Sequence, residues 1–356
     1  MQATRAARGG LVSCSAVVLG WLLGLLFISP FVFFYFLIIK GTDRYEPEPF
    51  WLLTLTFFWG AIGSTITAII GNELGMASIA WALHAGAGDP LVQNATASFV
   101  APLVEESTKG FGLLLLWGVS ALFLKEVDGA LDGAIYGGVI GLGFTLTEDI
   151  LYVGMATAKG GLGGFTGTFI LRTVLAGLGH ASFTAMTGLG VGIAVESRHM
   201  PVKIIAPIGG WMAAAGLHFL HNFLVTFMLM NGVGILLKFL VFWTFDAVFF
   251  VLIVVLAFRD RAIVLRGLVG EVGKLLHPKE FQRTSSAMMI VPFWNMFSLM
   301  GSPGGYWRSR RKQLDLVELA FAKLRQERGE NVGDREHKLR ARIDEANRAG
   351  VFIGAR

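Results

Sequence analysis

Residues 98–124 read SFVAPLVEESTKGFGLLLLWGVSALFL. The stretch has the length and apolar content of a bilayer-crossing helix, for which about 20 apolar residues suffice. Yet it carries Glu105, Glu106 and Lys109. A charge near the bilayer centre costs roughly 2.5–3.5 kcal/mol on insertion scales, so three in one span need a reason.

The rest of the chain places this stretch in a membrane. Its 356 residues are 54% hydrophobic and 15% charged, with mean hydropathy +0.62. A soluble domain of that size needs far more polar surface. The single cysteine, Cys14, excludes an intrachain disulfide. Of the 30 Lys and Arg, 19 lie from Arg259 onward, which predicts a cytoplasmic C-terminal tail by the positive-inside bias. That bias explains the basic tail without a nucleic-acid partner. The bilayer is the expected surroundings, and no nucleic acid is expected.

The fold expected is an all-α polytopic bundle. Spans are predicted near 11–39, 50–70, 98–124, 130–154, 166–195, 203–230 and 235–258. Residues 1–258 would form the membrane domain, with its motif core at 98–225, and 259–356 a basic, partly helical tail. Leu11–Ile39 is too long for a signal-peptide core and reads as a retained anchor. Charge counting puts 155–165 and 71–97 outside, and Lys125, 196–203 and 40–49 inside. Seven spans leave Arg5 and Arg8 outside, unless 11–39 is broken at Ser29-Pro30 and does not cross simply; eight spans are the alternative count. The apolar run 287–300 is too short to span, which predicts an interfacial or core-packed segment.

Counted inward from the outer ends, polar residues of four spans reach a common depth, roughly 10–20 Å below the surface at 1.5 Å rise per residue. They are Glu105, Glu148, His180, and His218 with Asn222. Intramembrane ionisable residues are functional by default. Glu105 and Lys109 stand at i,i+4, which predicts a pair on one helix face. His218 and Asn222 have the same spacing, while His221 falls at the edge of their face and reads as structural. Peptide hydrolysis needs a base to activate water and donors for the oxyanion. A buried carboxylate and a His/Asn pair supply both. With no HExxH present, a divalent metal such as zinc, held by Glu106, Glu148, His180 and His218, and a metal-free glutamate mechanism stand equally open.

Competing readings exist for each group. The 105/106/109 cluster can be an ion pair locking helix register. Glu148 can pair with Arg172, His180 can join helices through Ser182, Thr184 and Thr187, and Asp246 can pair with Lys238. Buried Glu and His also occur in proton- or ion-coupled transporters, and an inactive scaffold is a further alternative.

The segments APLVEESTKG, GLGFTLTEDILY, GLGHASFTAMTGLGVG and GLHFLHNF, in that order, resemble the PrsW family of intramembrane proteases, and DRYEPEPFWLLTLTFFWGA resembles its preceding loop and span. The resemblance covers about 43–225. Glu105, Glu106 and Lys109 match the first motif, Phe144 and Glu148 the second, His180 the third, and His218 with Asn222 the fourth. It implies a multi-pass endopeptidase of the bacterial plasma membrane, cutting a membrane-anchored protein such as an anti-sigma factor. It also links the chain to the CAAX prenyl protease and bacteriocin-processing group, where a glutamate mechanism is favoured over a metalloendopeptidase one. In these roles Glu105 or Glu106 activates the water, assisted by Glu148 and His180. His218 and Asn222 stabilise the oxyanion, and Lys109 orients a glutamate.

Overall fold

The computed structural model describes residues 14–42, 45, 47–124, 126–228, 232–291, 294–329 and 332–354. Arg5, Arg8, Lys125 and residue 231, the start of the stretch between the expected spans 203–230 and 235–258, lie outside them. Every regular element among the described residues is helical. They begin with α1 (Cys14–Thr42), α2 (Phe50–Ala82) and α3 (Ala101–Val119). Then come α4 (Ala130–Phe169), α5 (Gly179–Glu196), α6 (Met200–Met228) and α7 (Gly232–Val269). Among the described residues, five helical runs are long and apolar enough to cross a membrane: Cys14–Thr42, Phe50–Ala82, Ala130–Glu196, Met200–Phe227 and Leu236–Val269. Ala101–Val119 is outside that set, as three buried charges interrupt its apolar run. The chain forms two compact units, one holding the residues up to Ile39 with Pro49–Phe249, the other Lys40–Glu48 with Phe250 onward.

The first unit is built around α4 and α5, and glycine is the reason. Gly129, Gly133, Gly137 and Gly141 recur every four residues, so they line one face of α4. A Cβ on Gly133 would lie 2.1 Å from the Gly188 carbonyl oxygen, and one on Gly141 2.2 Å from that of His180. The partners run backward as α4 runs forward, so the two helices are antiparallel at backbone contact. Close approach through small residues is how helices associate in lipid, where burial of apolar surface supplies no drive. The other helices join through side chains bonded to carbonyls. Thr147 donates to Ala61 O (2.7 Å), Trp59 Nε1 to Thr108 O (3.1 Å) and Tyr35 to Thr173 O (3.0 Å).

Three expectations need correction. The loop expected at 155–165 is largely helix: α4 continues to Gly161, whose φ of 57° breaks it and reverses the chain. Only glycine takes that conformation cheaply. The span expected at 166–195 is interrupted by a turn at 175–178, so α5 starts at Gly179. Its apolar pattern hides the break because both flanking pieces are apolar. Finally, α1 runs through Ser29-Pro30 without interruption, with Ser29 Oγ bonded to Leu25 O at 2.7 Å.

Among the described residues, four π-helical turns, Trp59–Ser64, Thr96–Val100, Ser120–Leu124 and Ile170–Val174, punctuate the bundle. Such turns release carbonyls from the i→i+4 ladder and concentrate at functional sites. Non-helical backbone at membrane depth is tolerated where it is buried or lines a cavity.

The second unit contains α8 (Pro278–Thr284), α9 (Trp294–Leu299), α10 (Tyr306–Glu327) and α11 (Arg335–Arg348). A buried Lys312–Glu280 pair (2.6 Å) ties α10 to α8, and Glu280 also accepts from Ile353 N at 2.9 Å. Glu271 accepts two bonds of 2.8 Å from Arg340 and is also paired with Lys323.

Candidate active site

The residues singled out by depth converge. A cavity of about 720 Å³ in the first unit has Asn72, Glu105, Glu148, His180, His218 and Asn222 in its wall. Glu105 comes from α3, Glu148 from α4, His180 from the first turn of α5, and His218 and Asn222 from α6. Asn72 of α2 has no sequence signal of its own, since an amide in an apolar helix is common.

The two adjacent glutamates differ. Glu106 is fully buried and saturated: it takes Lys109 Nζ at 2.8 Å and His218 Nδ1 at 3.0 Å on one oxygen, and the Thr184 hydroxyl at 2.9 Å on the other. Glu105 lines the cavity. Asn72 Nδ2 donates to its Oε1 at 3.3 Å, while its Oε2 is buried without a hydrogen-bond partner. That free oxygen stands 3.8 Å from His218 Nε2. The expected Lys109–Glu105 pair is therefore secondary, at 3.7 Å. Lysine reaches back three residues rather than four because the Glu106 carboxylate is already anchored by Thr184 and His218.

Lys109 Nζ also lies 3.0 Å from His180 Nδ1. Lysine has only donors to offer, so His180 carries its proton on Nε2, where Glu148 accepts at 2.8 Å. The Phe144 ring sits 3.9 Å from Lys109 Nζ, a cation–π contact that closes the cluster below. Glu148 pairs with Arg172 at 2.5 Å, as its competing reading allowed, while still lining the cavity beside His180. Arg172 reaches across to Asp149 at 2.8 Å, and Asp149 accepts from Thr173 at 2.8 Å. Asp149 was missed, because its neighbour Glu148 carried the motif. Arg172 and Thr173 belong to the π turn Ile170–Val174, which aims both inward.

Some placements differ from expectation. Asn222 Nδ2 donates to Ala97 O (2.9 Å), so one of its two amide hydrogens joins α6 to the π turn Thr96–Val100. His221 packs its ring on Phe242, centroids 4.6 Å apart, yet also lines the cavity. Asp246 Oδ1 is buried without a hydrogen-bond partner. Lys238 reaches the cavity wall and the Phe239 ring instead of Asp246.

Ligand atoms of Glu105, His180 and His218 lie within 4.8 Å of one another. Two imidazoles and a carboxylate suit zinc. The orphaned Glu105 Oε2 fits, as does His218, whose Nδ1 is held by a carboxylate so that Nε2 is left as donor. Glu106 and Glu148, expected in the metal set, are outside this trio, turned toward Lys109 and Arg172. The cluster holds Glu105, Glu106, Glu148 and Asp149 against Lys109 and Arg172, leaving two formal negative charges. A buried uncompensated charge is costly, so the site favours a proton or a cation.

Residues 48–257 match a family model described as PrsW family intramembrane metalloprotease. No curated protein and no solved structure matches. The match covers more than half of the chain and spans every residue of the cavity wall, and it favours peptidase chemistry over the transporter and scaffold readings. With several apolar helices of membrane-spanning length around that wall, the chain belongs to the PrsW family and is a multi-pass intramembrane protease.

Proposed function

We propose that the chain hydrolyses a peptide bond of a membrane-anchored protein within the α3–α6 cavity, with Glu105 and Glu148 as its working carboxylates. The observation that carries this is the Glu105 Oε2 atom, which is buried without a hydrogen bond on a residue of the cavity wall, 3.8 Å from His218 Nε2, beside a neighbour whose oxygens are all engaged. Such an oxygen can hold a water or a cation where Glu106 cannot. Glu106 instead positions His218 by accepting from Nδ1, and Lys109 positions both Glu106 and His180.

A divalent cation would be held by Glu105, His180 and His218, with His180 giving up its Lys109 contact. When bound, it would acidify a water and polarise the scissile carbonyl. Glu148, hydrogen-bonded to His180 and clamped by Arg172, is then the carboxylate left to take the water's proton. The second N–H of Asn222 is a donor for the developing oxyanion. A metal-free glutamate mechanism is the second reading, supported by the engagement of both His180 nitrogens. There Glu105 is itself the base. An anti-sigma factor is the substrate class that the family resemblance suggests. The seven-span topology with a cytoplasmic tail is the arrangement we adopt.

The test is cleavage of a single-span substrate by the purified chain in liposomes. A cut made by the wild type and lost in Glu148→Gln supports the reading. An intact substrate with the wild type, or equal cutting by both, removes it.

A further inference from the structure

Beyond residue 270 the tail is a polar helical unit with one exception. Its exposed large apolar side chains among the described residues all fall between 288 and 307: Met288, Val291, Trp294, Met296, Phe297, Met300 and Trp307. Phe297 is 61% and Trp307 81% exposed, while Met289, Asn295 and Leu299 of the same stretch are buried. The segment is thus two-sided, with one side packed into the unit and the other apolar and uncovered. Exposed Arg308 and Arg311 follow directly.

Two hydrogen bonds inside this unit set the level of the patch. Arg261 Nε donates to Ser285 O at 2.7 Å, and the Tyr45 hydroxyl to Ser286 O at 2.9 Å. Arg261 is three residues past Phe258, the last residue of the apolar run of α7, hence about 4.5 Å further along the helix. Tyr45 is three residues past the end of α1 at Thr42. Both anchors therefore mark where a bilayer-crossing helix leaves hydrocarbon, and Met288 follows two residues later.

We infer that the described residues of 288–311 form a membrane-interface anchor, whose uncovered apolar side chains insert among the lipids of the bilayer the chain spans while Arg308 and Arg311 meet phosphate headgroups. Aromatic side chains beside basic ones match the headgroup boundary, where amphipathic segments sink about 5–10 Å. The segment lies outside the family match, so the anchor belongs to the tail and is independent of the catalytic reading.

The experiment uses the full chain with its one cysteine removed (Cys14→Ser) in nanodiscs of phosphatidylcholine, with or without phosphatidylglycerol. An environment-sensitive bimane is attached at Phe297→Cys or Trp307→Cys, and at Glu327→Cys as a reporter on the far end of α10. Trp307 buries little, so its replacement leaves the core intact. The expected result is blue-shifted emission at 297 and 307, quenched by lipids brominated high in the acyl chain and less by those brominated near its end. Glu327→Cys emission stays aqueous and unquenched. Equal, water-like emission at all three sites overturns the anchor. A blue shift without bromine quenching that appears only with two chains per disc also overturns it, in favour of a contact between copies.

Discussion

The structure separates two glutamates that stand side by side in the sequence, and substitution to glutamine tests the separation. Glu106→Gln removes charge from a carboxylate that solvent does not reach and that accepts from Lys109, His218 and Thr184. Removing one member of a buried pair costs about 3–5 kcal/mol. Glu105, 3.7 Å from Lys109 Nζ, retains part of the compensation, which lowers the figure to about 2–3 kcal/mol. On the scale of a domain of about 200 residues that is a fall in melting temperature of about 4–12 °C. Glu105→Gln differs, because Oε2 has no hydrogen bond to lose and an amide oxygen can still accept from Asn72. Its stability should change by less than about 1 kcal/mol. Thermal unfolding in mild detergent measures the first quantity, and cleavage of a membrane-tethered substrate the second. The expected pattern is a Glu105→Gln protein that is stable but slower by about 10²-fold or more, and a Glu106→Gln protein that loses stability and activity together. Wild-type cleavage by Glu105→Gln, or the greater thermal loss in that variant, would refute the reasoning.

Further outcomes follow from the same geometry. Gly133→Leu places a side chain where a Cβ alone lies 2.1 Å from the Gly188 carbonyl, so α4 and α5 must separate; folded yield and cleavage should both collapse, whereas Gly118→Ala, with nothing within 4 Å, should match the wild type. Metal content per chain, measured by mass spectrometry, should fall in His180→Ala and His218→Ala and hold in Asn222→Ala, with chelation abolishing cleavage; an active, metal-free preparation selects the glutamate mechanism. In the tail, hydrogen bonds from Arg340 and Lys323 hold the Glu271 carboxyl down at about 2. Its folded-state value is below the unfolded one of about 4.3, so its stabilisation is complete above that pH and lost as pH falls toward 2. The melting difference between the wild type and Glu271→Gln should therefore shrink between pH 4.5 and 2; a constant difference would contradict the assignment.

What the sequence determined by itself is the class of molecule and the set of polar groups to look for in its apolar helices. Apolar runs of bilayer length can only be helices, because no water is present to satisfy an open backbone. Helical rise then converts sequence offsets into an expected depth, which is why Glu105, Glu148, His180 and His218 could be grouped before their common cavity was known. Rotation about each helix axis and local departures from the helix have no such one-dimensional signature. Tertiary structure alone decided that Lys109 turns to Glu106, that Glu105 Oε2 is left without a hydrogen bond, and that Asn72 and Asp149 join the cluster, whereas Arg172 already stood in the sequence as an alternative partner of Glu148. It alone also placed His180 after a turn and the reversal at Gly161, since both interruptions lie within apolar sequence. Those choices depend on which faces touch when Gly133 meets Gly188 at backbone distance, and packing between helices is written in pairs of residues far apart in the chain.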